Sequence, residues 1–532
     1  DCMAGLVVGM VAIPLAMALA IASGVTPESG LYTVILAGAL VALLGGSQCQ
    51  VSGPTAAFVV VLVPIVQKFG LGGLLVAGLM AGFLLVLMGV ARLGRLIEFI
   101  PYPVTTGFTA GIAVVIATIQ LKDFLGLSIS GNSESYWHRI QALVAARDTF
   151  SLTECLVGLG TLAVLVTWPK VNRKIPAPLV ALFGITVATT LISHFYPDVQ
   201  FATIASRFNG IPSSLPSFQL PWNLPGPSGE PFVLSFETLR ALIPPAFTIA
   251  MLGAIESLLS AVVADGMART KHHPDTELVA LGIGNILCPF FGGIAATGAI
   301  ARTATNIRYG ARSPIAAIVH SVFVLLVVLL FAKYVAYLPM AALAALLLLV
   351  AYNMSEAKHF IHILKVSPRN DVIVLLLCFG LTVIFDMVAG VTIGVMLASL
   401  LFMQRMAALT QGRLLTSDSV KALDFEVPKD VIIYEIAGPL FFGAANRAVQ
   451  AMQSVSVETK HVIFDMSQVP AMDATGLVAL ESSIRGLSQR QVILAGIQPQ
   501  PMELIAKADL AERFPTLQLA KTLKEAISLL KK

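Results

Sequence analysis

Charge is scarce in this sequence. Asp, Glu, Lys and Arg fill 12% of its 532 positions, against about 25% in soluble domains. That shortage excludes a chain built mainly of water-soluble domains. The signs nearly balance, 34 Lys and Arg against 30 Asp and Glu, so the net charge of +4 makes no case for nucleic acid as a partner. Cysteine is scarce as well. Cys2, Cys49, Cys155, Cys288 and Cys378 show no paired spacing, which removes a disulfide framework and a thiolate metal site. No nucleotide-binding loop is present and no covalent chemistry is called for. The chain reads as a non-enzyme with no cofactor. No basic leader precedes the first apolar run, which reads as a span lacking its cytosolic lead-in and not as a signal peptide.

What fills the sequence instead is hydrocarbon. Hydrophobic residues make up 57% and the mean hydropathy is +0.85. A single soluble core stops growing near ~300 residues. Most of the chain is therefore expected to be a polytopic α-helical membrane protein, each span needing ~20 apolar residues. Apolar runs lie at residues 4–23, 33–45, 71–90, 101–120, 156–168 and 178–193, and again at 241–264, 278–291, 315–331, 341–352, 372–385 and 391–403. Pro14 is expected to kink or break the first run. The Pro-, Ser- and Phe-rich piece between the two sets, 194–237, reads as the longest exposed loop.

Two places cannot be ordinary spans. One is Val51-Ser52-Gly53-Pro54-Thr55-Ala56-Ala57, followed only by a short apolar run to Val66 before Gln67-Lys68. The other, 290–310, reads FFGGIAATGAIARTATNIRYG and carries Gly292, Gly293, Gly298 and Arg302. A half-helix over 298–308 would aim unpaired N–H groups and its positive dipole end into the protein, with Arg302 one turn further on. That makes an anion pocket if the broken backbone faces a cavity. Each half then holds seven segments with a broken third, over 1–193 and 238–410. Seven is odd, so the halves run in opposite senses as an inverted repeat, with the site at the midplane.

Basic residues test the topology. Arg92 and Arg95, Lys170, Arg173 and Lys174, Arg269 and Lys271, Arg308 and Arg312, Lys358, Lys365 and Arg369, and Arg405 and Arg413 all fall in loops on one side. The positive-inside rule puts that side, and both termini, in the cytoplasm. From 411 to 532 strand-like runs at 431–436, 462–464 and 492–494 alternate with helical patterns at 444–455, 474–487, 501–510 and 523–530. A small cytosolic α/β domain is expected there.

The motifs met in this order resemble the sulfate permease family of anion transporters with a C-terminal STAS domain. They are Asp1-Cys2-Met3-Ala4-Gly5, Ile13-Pro14, Pro27 with Gly30-Leu31-Tyr32-Thr33, Gly46-Ser47, Val51-Ser52-Gly53-Pro54, Phe290-Phe291-Gly292-Gly293 and Asp473-Ala474-Thr475-Gly476. The resemblance implies a 7+7 inverted repeat of 14 segments in core and gate domains, a homodimer, and alternating access in a bacterial inner membrane. It implies an anion site between the third and tenth helices. Residues 13–20 and 251–259 are similar to bacterial members that carry C4-dicarboxylates such as succinate, fumarate or aspartate. Where many sulfate and chloride relatives have Gln and an aromatic, this chain has Leu15 and Leu19, a more apolar lining. Sulfate or bicarbonate is the alternative cargo. A membrane anion sensor that signals through the STAS domain is the alternative of another class.

The resemblance places Thr55, Ala56, Gly298, Ala299 and Ala301 at the two half-helix ends, where small residues admit the substrate to backbone N–H groups or simply pack helices. Arg302 is read as neutralising the bound anion, or as a fixed partner of Glu256. Glu256 and Ser260 share a helix face. A buried carboxylate beside an arginine is pulled both ways, which suits a proton carrier. A structural charge is the alternative. In a sodium-coupled bicarbonate relative, an aspartate and a threonine are sodium ligands at the matching places. Asp123 and Asp386 are expected at span ends, Asp265 at the start of a cytosolic loop, and His272 and His273 in solvent. Thr475 matches a position phosphorylated in soluble STAS proteins and reads as a helix N-cap.

Overall fold

The computed structural model describes residues 1–97, 100–129, 136–172, 175–227, 229–385, 387–415, 427–428, 430–441 and 459–530. The expectations for Arg173, Lys174, Asp386 and the helix at 444–455 fall outside these residues. Two compact units emerge, Asp1–Val395 and Met396–Lys532. Their border falls ahead of the 410/411 expected from composition.

The first unit is helical. Its first half holds α1 (Cys2–Ala22), α2 (Pro27–Leu44), α3 (Ala56–Val90), α4 (Tyr102–Phe124), α5 (Leu152–Val171) and α6 (Ala177–Phe195). The second half holds α7 (Phe236–Ala268), α8 (Pro274–Leu287), α9 (Ile300–Arg308), α10 (Ile315–Val335), α11 (Met340–Ser355) and α12 (Arg369–Ile384), and is followed by α13 (Met387–Leu409), which runs across the border. Gly70 divides α3. Its φ of +72° suits glycine alone, and any Cβ there would strike the backbone of Gly226. With α3 counted as two segments and α13 as the last of the second half, each half has seven among the described residues. The third is short in both, 56–69 and 300–308. Ten helical stretches among the described residues are long and apolar enough to cross a membrane.

Packing sorts these helices into two bundles. The first comprises α1, α2, α3, α7, α8, α9 and α10, and the second α4, α5, α6, α11 and α12. Small residues set the closest approaches, as expected where lipid removes any hydrophobic drive between helices. A side chain at Gly5 or Gly9 of α1 would collide with Ala316, Val319 or Phe323 of α10. At Gly107 or Gly111 of α4 it would meet Leu375, Cys378 or Thr382 of α12. This is the core-and-gate division in physical form.

Two expectations need correction. Pro14 neither breaks nor ends α1, which runs unbroken from Cys2 to Ala22. Neighbouring helices in a bundle hold a span whose proline has cost it one bond. The 194–237 loop is not simply exposed. Ala202 donates its N–H to Glu154 at 2.7 Å, and Ile204 and Ala205 bond to the carbonyls of Leu338 and Ala336. Further on, Gln219 bonds to the Phe290 carbonyl, Phe218 stacks on the Phe290 ring at 5.7 Å, and Pro225 accepts from Gly72. One end of the loop is thus tied to the gate bundle and the other to the core.

The second unit contains a five-stranded sheet, β3 (Gln411–Leu414), β4 (Val431–Ala437), β5 (His461–Gln468), β6 (Gln491–Ala495) and β7 (Leu517–Ala520), in that order, with β3 antiparallel and the rest parallel. (β1, Ser52–Gly53, and β2, Thr297–Gly298, belong to the first unit.) The strands alternate faces with period two. Tyr434, Phe464 and Leu494 pack with Leu480 and Ile484 of α14 (Ala474–Gly486) and Ile505 of α15 (Pro499–Lys507). Ile433, Ile463 and Ile493 face the other way, onto Ala526 and Ile527 of α16 (Leu523–Leu530). Both edge strands, β3 and β7, escaped the sequence reading because each spans only four residues. The N-cap of α14 is Asp473, whose Oδ1 accepts from the Gly476 N–H at 2.7 Å. Thr475 is an exposed residue of the first turn and not the cap.

Candidate functional site

The two interrupted segments meet. Strand β1 (Ser52–Gly53) pairs antiparallel with β2 (Thr297–Gly298), Ser52 opposite Gly298 and Gly53 opposite Thr297. The Ala299 N–H then bonds to the Val51 carbonyl at 2.9 Å. Glycine is required at 298 because a side chain would run into the Gln50 amide. Helix α3 starts directly after Thr55 and α9 after Ala299, and neither N-cap side chain bonds its own helix. The first-turn N–H groups at both ends therefore remain available to a ligand.

Side chains of one half hold the backbone of the other. Thr303 Oγ1 accepts from the Val51 N–H at 3.0 Å, and Asn306 Nδ2 donates to the Cys49 carbonyl at 3.0 Å. Thr33 exchanges bonds with both the N–H and the carbonyl of Ile294. Within the second half, Thr297 donates to the Gly253 carbonyl at 2.7 Å.

Arg302 lies in the first turn of α9 and not one turn on, because the helix begins at Ile300. It is 3% exposed. Its Nη2 donates to the Pro54 carbonyl, and its guanidinium covers the α-carbon of Gly53. Among the described residues, the Nε and Nη1 atoms have no hydrogen-bond partner. Among the described residues no ion pair joins Arg302 to Glu256. Glu256 is half-buried, and its Oε2 accepts from Thr55 Oγ1 at 2.7 Å. The charge of Arg302 therefore sits behind the crossing while Glu256 and Thr55 meet beside it.

The other expected residues divide. Ala56 and Ala299 are both 8% exposed and Ala301 is open. Leu15 is half-buried, whereas Leu19 is buried at 1%. Ser260 is fully buried and donates to Thr303 Oγ1 at 3.2 Å, so it does not join Glu256 in one ligand set. His272 is not solvated. It is buried, its Nδ1 lies 2.7 Å from Asp265 Oδ2, and Asp265 also accepts from Thr270.

Sequence reasoning missed the bracing groups. Glu277 is 1% exposed and accepts from Gly46 N, Ser47 N and Gln50 Nε2 at 2.9, 3.2 and 2.8 Å. Gln50 also donates to Ser257 at 2.7 Å. Asn285 clasps both the N–H and the carbonyl of Ala296. The available signal was a lone amide or carboxylate in an apolar run, which costs free energy when buried unless it is fully bonded.

Comparison with known proteins bears on this arrangement. The model of the sulfate permease family matches residues 1–377, and that of the STAS domain matches 422–526. The "Putative sulfate transporter YvdB" of Bacillus subtilis is 43% identical over 97% of this chain and 94% of its own. The bicarbonate transporter BicA of Picosynechococcus is 30% identical over 99% of this chain and 94% of its own. The murine Slc26a9 anion transporter, solved in an inward-facing state, superposes with a TM-score of 0.85 over 100% of this chain and 91% of that one. At 18% identity that likeness concerns the fold alone.

Proposed function

Because the chain belongs to the sulfate permease family of anion transporters, we propose that it is a proton-coupled secondary transporter carrying a sulfate-type oxyanion into a bacterial cell across the inner membrane. The observation that carries this reading is the crossing itself. Two uncapped helix N-termini lie side by side with a buried guanidinium behind them and a carboxylate at their edge. An anion held on the N–H groups near Ala56, Ala299 and Ala301 gains from both dipoles and from Arg302. Thr55 holds Glu256 at the same place, so a proton on that carboxylate removes a negative charge next to the incoming anion. Alternating access follows from movement of the core bundle, which carries the site, against the gate bundle.

The relatives named for sulfate and bicarbonate favour an inorganic oxyanion. None of those names mentions a C4-dicarboxylate. That second reading rests on Leu15, which offers a half-buried apolar face where a carbon backbone would lie. The basic loops support cytoplasmic termini, and the homodimer belongs to the same reading through the family resemblance.

Uptake of labelled sulfate, bicarbonate and succinate into proteoliposomes, with and without an inward proton gradient, tests the proposal. Sulfate uptake stimulated by the gradient is expected. Faster succinate uptake would transfer the reading to dicarboxylates. Binding without flux of any of the three would support an anion sensor signalling through the STAS domain.

A further inference from the structure

Behind the crossing, two buried side chains are short of partners. Among the described residues, eleven buried side-chain nitrogens and oxygens make no hydrogen bond, and four of them belong to Arg302 and His320. The deficit is therefore concentrated at one place, where most proteins leave no buried polar group unpaired. His320 is 0% exposed and stands on α10, in the same bundle as α9. The face of α10 that carries it is turned to the first interruption. Ala317, one turn earlier, packs in one cluster with Val51. Ser321, the next residue, donates to the Val34 carbonyl at 2.9 Å. A Cβ at Gly53 would lie 3.4 Å from Val34 Cγ2 and 2.7 Å from Arg302 Nη1. Val34 thus borders both places, and Arg302 is the charged group that acts on the His320 ring. The Ala317 carbonyl lies beside that ring, outside ordinary hydrogen-bond geometry. It favours an N–H on the nitrogen it faces, which leaves the other nitrogen as an acceptor.

We propose that a buried water molecule binds between Arg302 and His320, and that His320 acts through it as a positioning residue for the anion site. The proposal rests on Arg302 serving an anion held at the crossing, and on neither the identity of that anion nor proton coupling. The place is short of acceptors, since Arg302 Nε and Nη1 can only donate. An imidazolium would add two more donors and a second positive charge beside the guanidinium. A water accepts from both arginine nitrogens and donates to the acceptor nitrogen of the neutral ring, and about three such bonds are usual for a buried water. Held on this edge as well as at the Pro54 carbonyl, the guanidinium cannot swing. Its charge then stays fixed behind the two helix ends, and fixed charge is what stabilises an arriving anion without reorganisation.

The test is a double-mutant cycle on the full chain in proteoliposomes, with whichever of sulfate, bicarbonate and succinate the wild type carries fastest. His320→Leu is expected to raise the half-saturating concentration about 10-fold while the maximal rate stays within about twofold. His320→Asn and His320→Gln set an amide oxygen near the place of one or the other ring nitrogen, and at least one of them should recover most of that loss. In an Arg302→Met background, His320→Leu should change uptake by less than about twofold, because residues that act as a unit are not additive. Equal effects of His320→Leu with and without Arg302 overturn the proposal, as does wild-type affinity in His320→Leu. A loss shared equally by the Leu, Asn and Gln variants marks a packing role and overturns it too. Wild-type uptake in Arg302→Met removes the anion-site reading and this role with it, a failure seen without touching His320. A map of the full chain fine enough to show ordered water needs no variant to fold. A water within hydrogen-bond distance of both side chains is expected there, and a dry contact between them overturns the proposal.

Discussion

The two interruptions look alike in sequence and are held in different ways. The first, from Gly46 to Thr55, takes its side-chain partners from the opposite half of the chain, namely Glu277, Ser257, Thr303, Asn306, Arg302 and Glu256. The second, from Ile294 to Ala299, is held largely by its own half through Asn285 and the Gly253 carbonyl, with Thr33 as its side-chain brace from the other half. The first interruption is therefore shaped by a template and the second is closer to self-supporting. The charges follow the same asymmetry. The second half supplies both the guanidinium and the carboxylate, and the first half supplies the carbonyl that accepts from the one and the hydroxyl that donates to the other.

That contrast ranks the variants by expected effect. Glu277→Ala has the largest effect. It strips the acceptor from Gly46 N, Ser47 N and Gln50, and unpaired buried donors cost ~1–3 kcal/mol each. A total loss of roughly 3–6 kcal/mol is expected, read as a large fall in melting temperature of the purified protein or its loss from the membrane. Arg302→Met comes next. Folded protein should still be recovered, but uptake should fall about 100-fold with the loss of preorganised charge. Retained uptake would show that the helix ends suffice for the anion.

Asn285→Ala probes the self-supporting side. It orphans Ala296 at a cost of about 2 kcal/mol, less than Glu277→Ala, and the two melting temperatures compare the braces directly. A larger loss for Asn285 would invert the contrast. Glu256→Gln is the smallest change, since an amide oxygen still accepts from Thr55. Stability should hold, while the stimulation by a proton gradient disappears. Full gradient-driven uptake in this variant would remove Glu256 as the proton carrier.

The interruptions were legible because glycine, proline and arginine are conspicuous among leucines and valines. The shortness of their helices follows from counting apolar residues up to Gln67 and Arg308. What joins them was not legible. Glu277 meets Gly46, and Thr303 meets Val51, across more than 200 residues of chain, and no local periodicity encodes such a pairing. The same gap explains Arg302. Its place in the second interruption is plain in the sequence, but its partner is the Pro54 carbonyl, and a backbone acceptor leaves no mark in sequence. Ser260 shows the reverse error. Its position one turn from Glu256 was read correctly, yet the hydroxyl points to Thr303, because a helix face spans more than one neighbour. In the second unit the parallel strands announced themselves by β-branched runs, whereas Gln411–Leu414 reads like linker and becomes a strand through pairing with β4.

The ladder between Ser52–Gly53 and Thr297–Gly298 has only two rungs. In a pleated pair, moving by one position turns every residue to the opposite side. Such a slip would carry Gly298 away from the Gln50 amide and put a side-chain-bearing residue in its place. The spacing from Gly46 to Thr55 is therefore a dimension of the machine, as intolerant of one added amino acid as a gear is of one added tooth.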